Sequence, residues 1–270
     1  MIRDITLGQY YQTDSVVHRL DPRTKLIATF AYLVSLFLGT NLYVYALAFV
    51  FLAVAVRASR VPVRFIVRGM KAIAVLMLVT VVVNMFVIKG EPILTIGKLT
   101  ITREGVRTAV YMALRLTFLI MGASVMTLTT TPNQLTDALE SILKPLKIFK
   151  FPVHEIAMMM SIALRFIPIL IEETDKIMKA QLARGADFES GNVIKKAKSL
   201  VPVLVPLFIS AFRRANDLAL AMEARCYRGG EGRTKMKPLH YAKRDAAVYL
   251  YVCAYLALIY VAGHYIPKFW

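Results

Sequence analysis

Residues 26–56 read LIATFAYLVSLFLGTNLYVYALAFVFLAVAV, thirty-one positions without a charged side chain, interrupted near the middle by Gly39-Thr40-Asn41. As one helix the run would be about 46 Å long, against a bilayer hydrocarbon core of about 30 Å. Glycine and asparagine favour turns, so the stretch reads as a hairpin of two short membrane-spanning helices that borrow flanking residues. Working outward, a third apolar run covers Ala72 to Ile88, with Asn84 as its one strongly polar group, and Asn84 is expected to bond another helix. A fourth covers about Val110 to Thr129 and a fifth about Ala246 to Gly263. The expected fold is therefore an all-α integral membrane protein with about five spans.

Composition agrees with a bilayer as solvent, since 57% of the 270 residues are hydrophobic. Thirty-four Lys and Arg stand against 17 Asp and Glu, a formal net charge of +17. These cations sit mostly at the ends of apolar runs, which fits anionic cytoplasmic lipid or acidic partners and argues against nucleic acid. Cys226 and Cys253 have no metal-ligand spacing and form no disulfide framework. The polar start, before the first apolar run, does not read as a cleavable signal peptide.

Loop charges set an orientation. Arg57, Arg60, Arg64, Arg68 and Lys71 follow the second span without an acid, so that loop is expected inside. The loop from Lys89 to Arg107 is mixed in charge and is expected outside. This order places the N-terminus, with Arg19, Arg23 and Lys25, in the cytoplasm of a cell-membrane protein. Three regions follow: 1–130 with four spans, a cytoplasmic helical domain over 131–245, and a last span in 246–270.

Within the cytoplasmic region, Thr131-Pro132-Asn133-Gln134 has the form of a capping box opening a short helix to about Leu143. A long helix is expected from His154 to Arg184. Its front half is nearly all apolar and its back half carries Glu172, Glu173, Asp175, Lys176 and Lys179, so it reads as leaving an apolar environment for water. A second long helical stretch runs from about Val193 to Arg225, with Pro202 and Pro206 in its apolar centre.

Each long helix closes on Ala-x-x-Ala-Arg: AQLARG at 180–185 and AMEARC at 221–226. Small residues beside Arg184 and Arg225 let another surface approach, and a guanidinium can donate two parallel bonds to a carboxylate or to carbonyls. The plainer reading is that each arginine complements the helix dipole and that Gly185 is an ordinary helix stop. Other features carry less. Arg115 lies near enough to the outer end of its span to reach the interface with its long side chain. Glu172, Glu173, Asp175, Asp187 and Glu189 could be imagined as the metal site of a lipid-headgroup transferase, but they scatter around the helix and beyond its break. His18, His154, His240 and His264 are dispersed. GGEGRT at 229–234 is not a phosphate loop, and no G-x-x-x-x-G-K-[ST] occurs, so no nucleotide, metal or other cofactor is expected on this chain.

HRLDPRTK at 18–25, the two Ala-Arg motifs and MEARCYRGGEGRT at 222–234 resemble the transmembrane T proteins of energy-coupling factor (ECF) transporters, the EcfT and CbiQ-like family, over essentially the whole chain. The resemblance implies a non-catalytic scaffold of a vitamin or metal importer. Its partners would be two cytoplasmic ATP-binding-cassette ATPases and a separate membrane S component that captures substrate. It also implies that Arg184 and Arg225, with Ala183, Gly185 and Ala224, enter grooves on the two ATPases. Cys226 departs from the pattern, standing where the first copy has Gly185. The lack of obvious metal-handling residues favours a scaffold shared among S components over one dedicated to cobalt or nickel.

Overall fold

The computed structural model describes residues 9–39, 41–88, 90–96, 99–188, 192–230, 236 and 238–265. In chain order the elements are α1 (Pro22–Leu38), α2 (Leu42–Ser59), α3 (Val63–Val87), β1 (Pro92–Ile96), β2 (Leu99–Thr102), α4 (Arg103–Thr129), α5 (Pro132–Leu143), a 3-10 helix (Lys144–Phe149), α6 (Val153–Ala183), α7 (Val193–Ser199), α8 (Val201–Ala224) and α9 (Lys243–Tyr265). They form two compact units. One holds the described residues from 9 to 138 and from 239 onward, and the other those from 139 to 238.

In the first unit the 26–56 run is two helices. α1 ends where Gly39 turns extended, and α2 begins after an extended Asn41. α1, α2, α4 and α9 pack around one core in which Tyr32 and Leu36 meet Val44, Ala48, Phe118 and Tyr255. Tyr32 and Tyr255 both stand beside Phe51, whose ring centroid lies 5.3 and 4.3 Å from theirs. α4 comes so close to α1 at Gly122 that an added Cβ would stand 2.6 Å from Tyr32 Cε1. A second cluster, Val61, Ile66, Val125 and Leu128, fixes the start of α3 on the end of α4.

Among the described residues four helices, α2, α4, α6 and α9, are long and apolar enough to cross a membrane, or five if the two arms of α3 count as one span. The number matches the sequence reading, but the membership differs. α1 has seventeen residues, about 26 Å of helix. α6, expected in the cytoplasmic region, meets the same test of length and composition through its apolar front half.

Three local expectations are corrected. Residues 57–71 are not a loop: α2 runs to Ser59, α3 begins at Val63, and Arg64, Arg68 and Lys71 ride on the first arm of α3, which meets the second at 61°. Asn84 Nδ2 donates to Thr80 O one turn back on α3 at 2.8 Å, and among the described residues Asn84 has no bond to a neighbouring helix. The 89–107 segment is not simply a loop, because β1 and β2 pair antiparallel there. The alternating Ile, Leu and Thr of 93–102 carry that hairpin signal in the sequence.

The expected caps are present. Thr131 N–H donates to Gln134 Oε1 at 3.1 Å and Gln134 N–H donates to Thr131 Oγ1 at 3.3 Å, a reciprocal capping box opening α5.

Candidate partner-binding site

In the second unit α6 and α8 lie antiparallel. Gln181 Nε2, near the end of α6, donates to Pro202 O at the start of α8 at 3.2 Å. Midway, Arg214 Nη2 donates to Glu173 Oε2 at 3.3 Å. Past the end of α8, Gly230 lies so close to His154 at the start of α6 that a Cβ there would stand 2.3 Å from the imidazole Cδ2. Twenty-seven residues of α6 separate His154 from Gln181, about 40 Å of helix. Arg184 and Arg225 are therefore at opposite ends of the pair.

Both arginines sit in the same local structure. On α6, Gly185 N–H donates to Leu182 O and Ala186 N–H to Gln181 O, both at 3.0 Å. On α8, Cys226 N–H donates to Glu223 O at 2.8 Å and Tyr227 N–H to Met222 O at 3.0 Å. Each is a Schellman cap, in which the residue after the C-cap turns left-handed so that two otherwise orphaned carbonyls are satisfied. Gly185 has φ +86° and Cys226 has φ +56°. The departure from glycine at 226 thus leaves the helix-ending geometry intact.

Arg184 and Arg225 are the C-cap residues, with φ/ψ of −88°/5° and −92°/15°. Ala183, Arg184, Gly185, Ala224 and Arg225 are all exposed. Among the described residues neither guanidinium has a hydrogen-bond or ion-pair partner. Two equivalent cations thus project from two capped helix ends, each preceded by an alanine.

The competing candidates are placed differently. Glu173 is taken up by Arg214, and no group of three or more His, Cys, Asp or Glu able to hold a metal ion occurs among the described residues. Glu189 and residues 231–234 of GGEGRT lie outside the described residues. His154 Nδ1 meets Glu140 Oε1 at 3.0 Å, joining α5 to the start of α6. Arg115 Nε donates to Tyr45 Oη at 3.2 Å and the guanidinium lies 5.2 Å from the Phe37 ring centre, so the charge within α4 has partners on α2 and α1.

Sequence reasoning left one polar joint unassigned, in the first unit. Asp21 caps α1, accepting from Arg23 N–H at 2.9 Å, and its carboxylate holds the Arg23 guanidinium through Nε at 3.0 Å and Nη2 at 2.9 Å. Arg23 also stacks 4.0 Å over the Tyr241 ring. Lys25, buried, donates to His18 O at 3.1 Å and to Thr129 O at the end of α4 at 2.8 Å. Asp245, at the start of α9, accepts from Asp21 N–H at 2.9 Å and from Ala242 N–H at 2.8 Å. HRLDPRTK is thus the joint at which α1, α4 and α9 are tied together. Asp-Pro ahead of an apolar run signals the cap, but nothing in the sequence signals Asp245 or Thr129 as its partners.

Helices long and apolar enough for several membrane crossings, with a bundle of four around one core and a paired set of capped helices, define a multi-pass all-α membrane protein. The family model CbiQ, described as cobalt transport protein, matches residues 13–236. An energy-coupling factor transporter transmembrane protein EcfT from Ruminiclostridium cellulolyticum is 56% identical over 248 residues, 92% of this chain and 93% of the relative. That of Clostridium kluyveri is 51% identical over 272 residues, covering 100% and 99%, and that of Bacillus subtilis is 47% identical over 261 residues, covering 96% and 98%. The chain belongs to the CbiQ family and is a transmembrane component of an ECF transporter. It is a transporter component and not a catalytic enzyme.

Proposed function

We propose that the chain is the scaffold that couples two cytoplasmic cassette ATPases to uptake of a vitamin or other micronutrient captured by a separate S component. In this reading residues 1–130 and 246–270 form the membrane part, with the N-terminus in the cytoplasm, and 131–245 form the coupling domain. Arg184 and Arg225 each enter a groove on one ATPase. The observation that carries the reading is the pair of equivalent, unengaged arginines at opposite ends of the antiparallel α6–α8 pair. Two cations about 40 Å apart along a helix suit two ATPase protomers better than one binding cleft. A left-handed cap at each helix end holds the arginine backbone rigid, so that a displacement of the ATPase is passed to the helix.

The gathering of acids that a headgroup transferase would require does not occur among the described residues. The test is co-expression with candidate cassette ATPases and pull-down of each ATPase by wild type, Arg184→Glu, Arg225→Glu and the double variant. Normal membrane insertion with graded loss in the singles and complete loss in the double supports the reading. Unchanged binding in the double variant would reduce both arginines to helix-end cations.

A further inference from the structure

Between α5 and α6 the chain reads KPLKIFKFP, residues 144–152, three lysines interleaved with four apolar side chains and two prolines, and no acid lies between Glu140 and Glu155. The first six residues form a 3-10 helix, in which side chains three apart stack in rows. Lys144 and Lys147 therefore share one row, Pro145 and Ile148 a second, and Leu146 and Phe149 the third. Lys150 follows at the C-cap. One row is cationic and two are apolar.

The apolar rows are uncovered. Ile148 and Phe149 are each 84% exposed, and every residue from 144 to 152 is exposed. The exposure belongs to a held structure and not to a frayed one. Lys150 N–H donates to Lys147 O at 2.9 Å, Val153 N–H donates to Phe151 O at 2.8 Å, and the Glu140–His154 bond at 3.0 Å closes the base of the segment. A closed loop thus presents Ile148 and Phe149 outward with a row of lysines beside them. Water is a poor solvent for those two side chains, and the lysines disfavour a basic protein surface as cover. Apolar side chains that insert at the acyl boundary, beside cations that meet anionic headgroups, are the chemistry of an interfacial membrane anchor.

We propose that residues 144–151 form a lipid anchor that seats the start of α6 on the anionic membrane surface. In the scaffold reading above, on which its cytoplasmic placement rests, the anchor is a fulcrum for α6: one end of the helix is held at the bilayer while Arg184 at the other end is moved.

The test places a reporter in the full-length chain. Trp270, the sole tryptophan, is changed to Phe, and Phe149→Trp is introduced. The protein is reconstituted in nanodiscs of phosphatidylcholine with or without phosphatidylglycerol, and with lipids brominated high on the acyl chain. Both leaflets are alike in these discs, so the result does not depend on the orientation assumed in the scaffold reading, and ATPase pull-down tests that reading separately. The expected result is blue-shifted emission that loses roughly half its intensity to bromolipid, as for an indole at the acyl boundary. Quenching should be stronger with phosphatidylglycerol and should weaken when Lys144, Lys147 and Lys150 are changed to Gln. Emission of a hydrated indole, indifferent to bromolipid, would overturn the proposal. Quenching indifferent to phosphatidylglycerol and to the lysine changes would overturn it as an anionic-lipid anchor. A blue shift seen only on adding the ATPases or an S component would reassign the segment to protein docking.

Discussion

Asp21 and Asp245, 224 positions apart in the chain, are joined by one buried hydrogen bond, from the Asp21 N–H to Asp245 Oδ1 at 2.9 Å. Asp245 is only 2% exposed, and its other oxygen accepts from Ala242 N–H. One carboxylate therefore fixes both the turn before α9 and the entry to α1.

Removing that carboxylate leaves the buried Asp21 N–H and the partly buried Ala242 N–H without an acceptor. A buried donor left unpaired costs about 1–3 kcal/mol. Asp245→Ala is expected to lower the melting temperature in detergent by roughly 2–12 °C, at about 2–4 °C per kcal/mol for a chain of this size. Asp245→Asn, which keeps one acceptor, should fall between Ala and wild type. Thermal unfolding followed by size-exclusion chromatography orders the three, and an Ala variant as stable as wild type would show that the joint adds no stability.

His18 adds a pH dependence to the same joint. Its Nε2 donates to Tyr11 O at 3.0 Å, and its Nδ1 shares a hydrogen bond with Ser15 Oγ at 2.7 Å. Burial first, and then the Lys25 ammonium, hold its pKa below the ordinary 6.5. The unfolded chain therefore binds the proton more readily than the folded one. Stability from this residue is fully present above about pH 6.5 and declines as the pH falls toward the folded value. Melting temperatures measured between pH 7.5 and 5, on the order of the window in which histidine titrates, should fall less steeply for His18→Gln than for wild type. Parallel slopes would rule the residue out.

At Gly122 the limit is steric. A Cβ 2.6 Å from Tyr32 Cε1 forces the ring away from Phe51 and Tyr255. Gly122→Ala is expected to cost about 1–3 kcal/mol, the usual range for overpacking a filled core. Tyr32→Ala should relieve part of that cost, so the double variant should be less destabilised than the two single effects added. Additivity in a double-mutant cycle would refute the contact.

The two helix caps make opposite predictions. Cys226 holds φ +56°, which costs a non-glycine residue about 1–2 kcal/mol. Cys226→Gly is expected to stabilise the end of α8 by about 1 kcal/mol while leaving ATPase co-purification unchanged. Gly185 has open space around its Cβ position but φ +86°, so Gly185→Val should destabilise by a similar amount. It should also weaken ATPase binding, by loosening the backbone that carries Arg184. Hydrogen exchange at Ala186 and Tyr227, whose N–H groups close the two caps, reads each effect locally.

Much of this protein is open to sequence reasoning because its strongest determinants are local. A charge-free run longer than a bilayer with Gly-Thr-Asn at its centre resolves into α1 and α2, and Thr131-Pro132-Asn133-Gln134 yields the capping box of α5. The two Ala-Arg motifs fall at the ends of α6 and α8. Asn84 went astray for a physical reason: a polar side chain on an apolar helix needs an acceptor, and Thr80 O, one turn back, satisfies it without a partner helix. The charges of 57–71 do not reveal its helices, because loop charge marks the side of a membrane and not the conformation of the chain.

Residue order by itself determined that the chain is helical, apolar enough for about five membrane crossings, and marked by a repeated arginine. These follow from hydropathy, turn residues and spacing, which act over a few positions. Only the tertiary structure decided that Asp245, Lys25 and Thr129 close one joint with HRLDPRTK, that Cys226 adopts the glycine conformation, and that Arg184 and Arg225 point from opposite ends of an antiparallel pair. Those depend on which helices lie side by side. That choice is made by packing between residues as far apart as Tyr32 and Tyr255, for which no local pattern in the chain provides a signal.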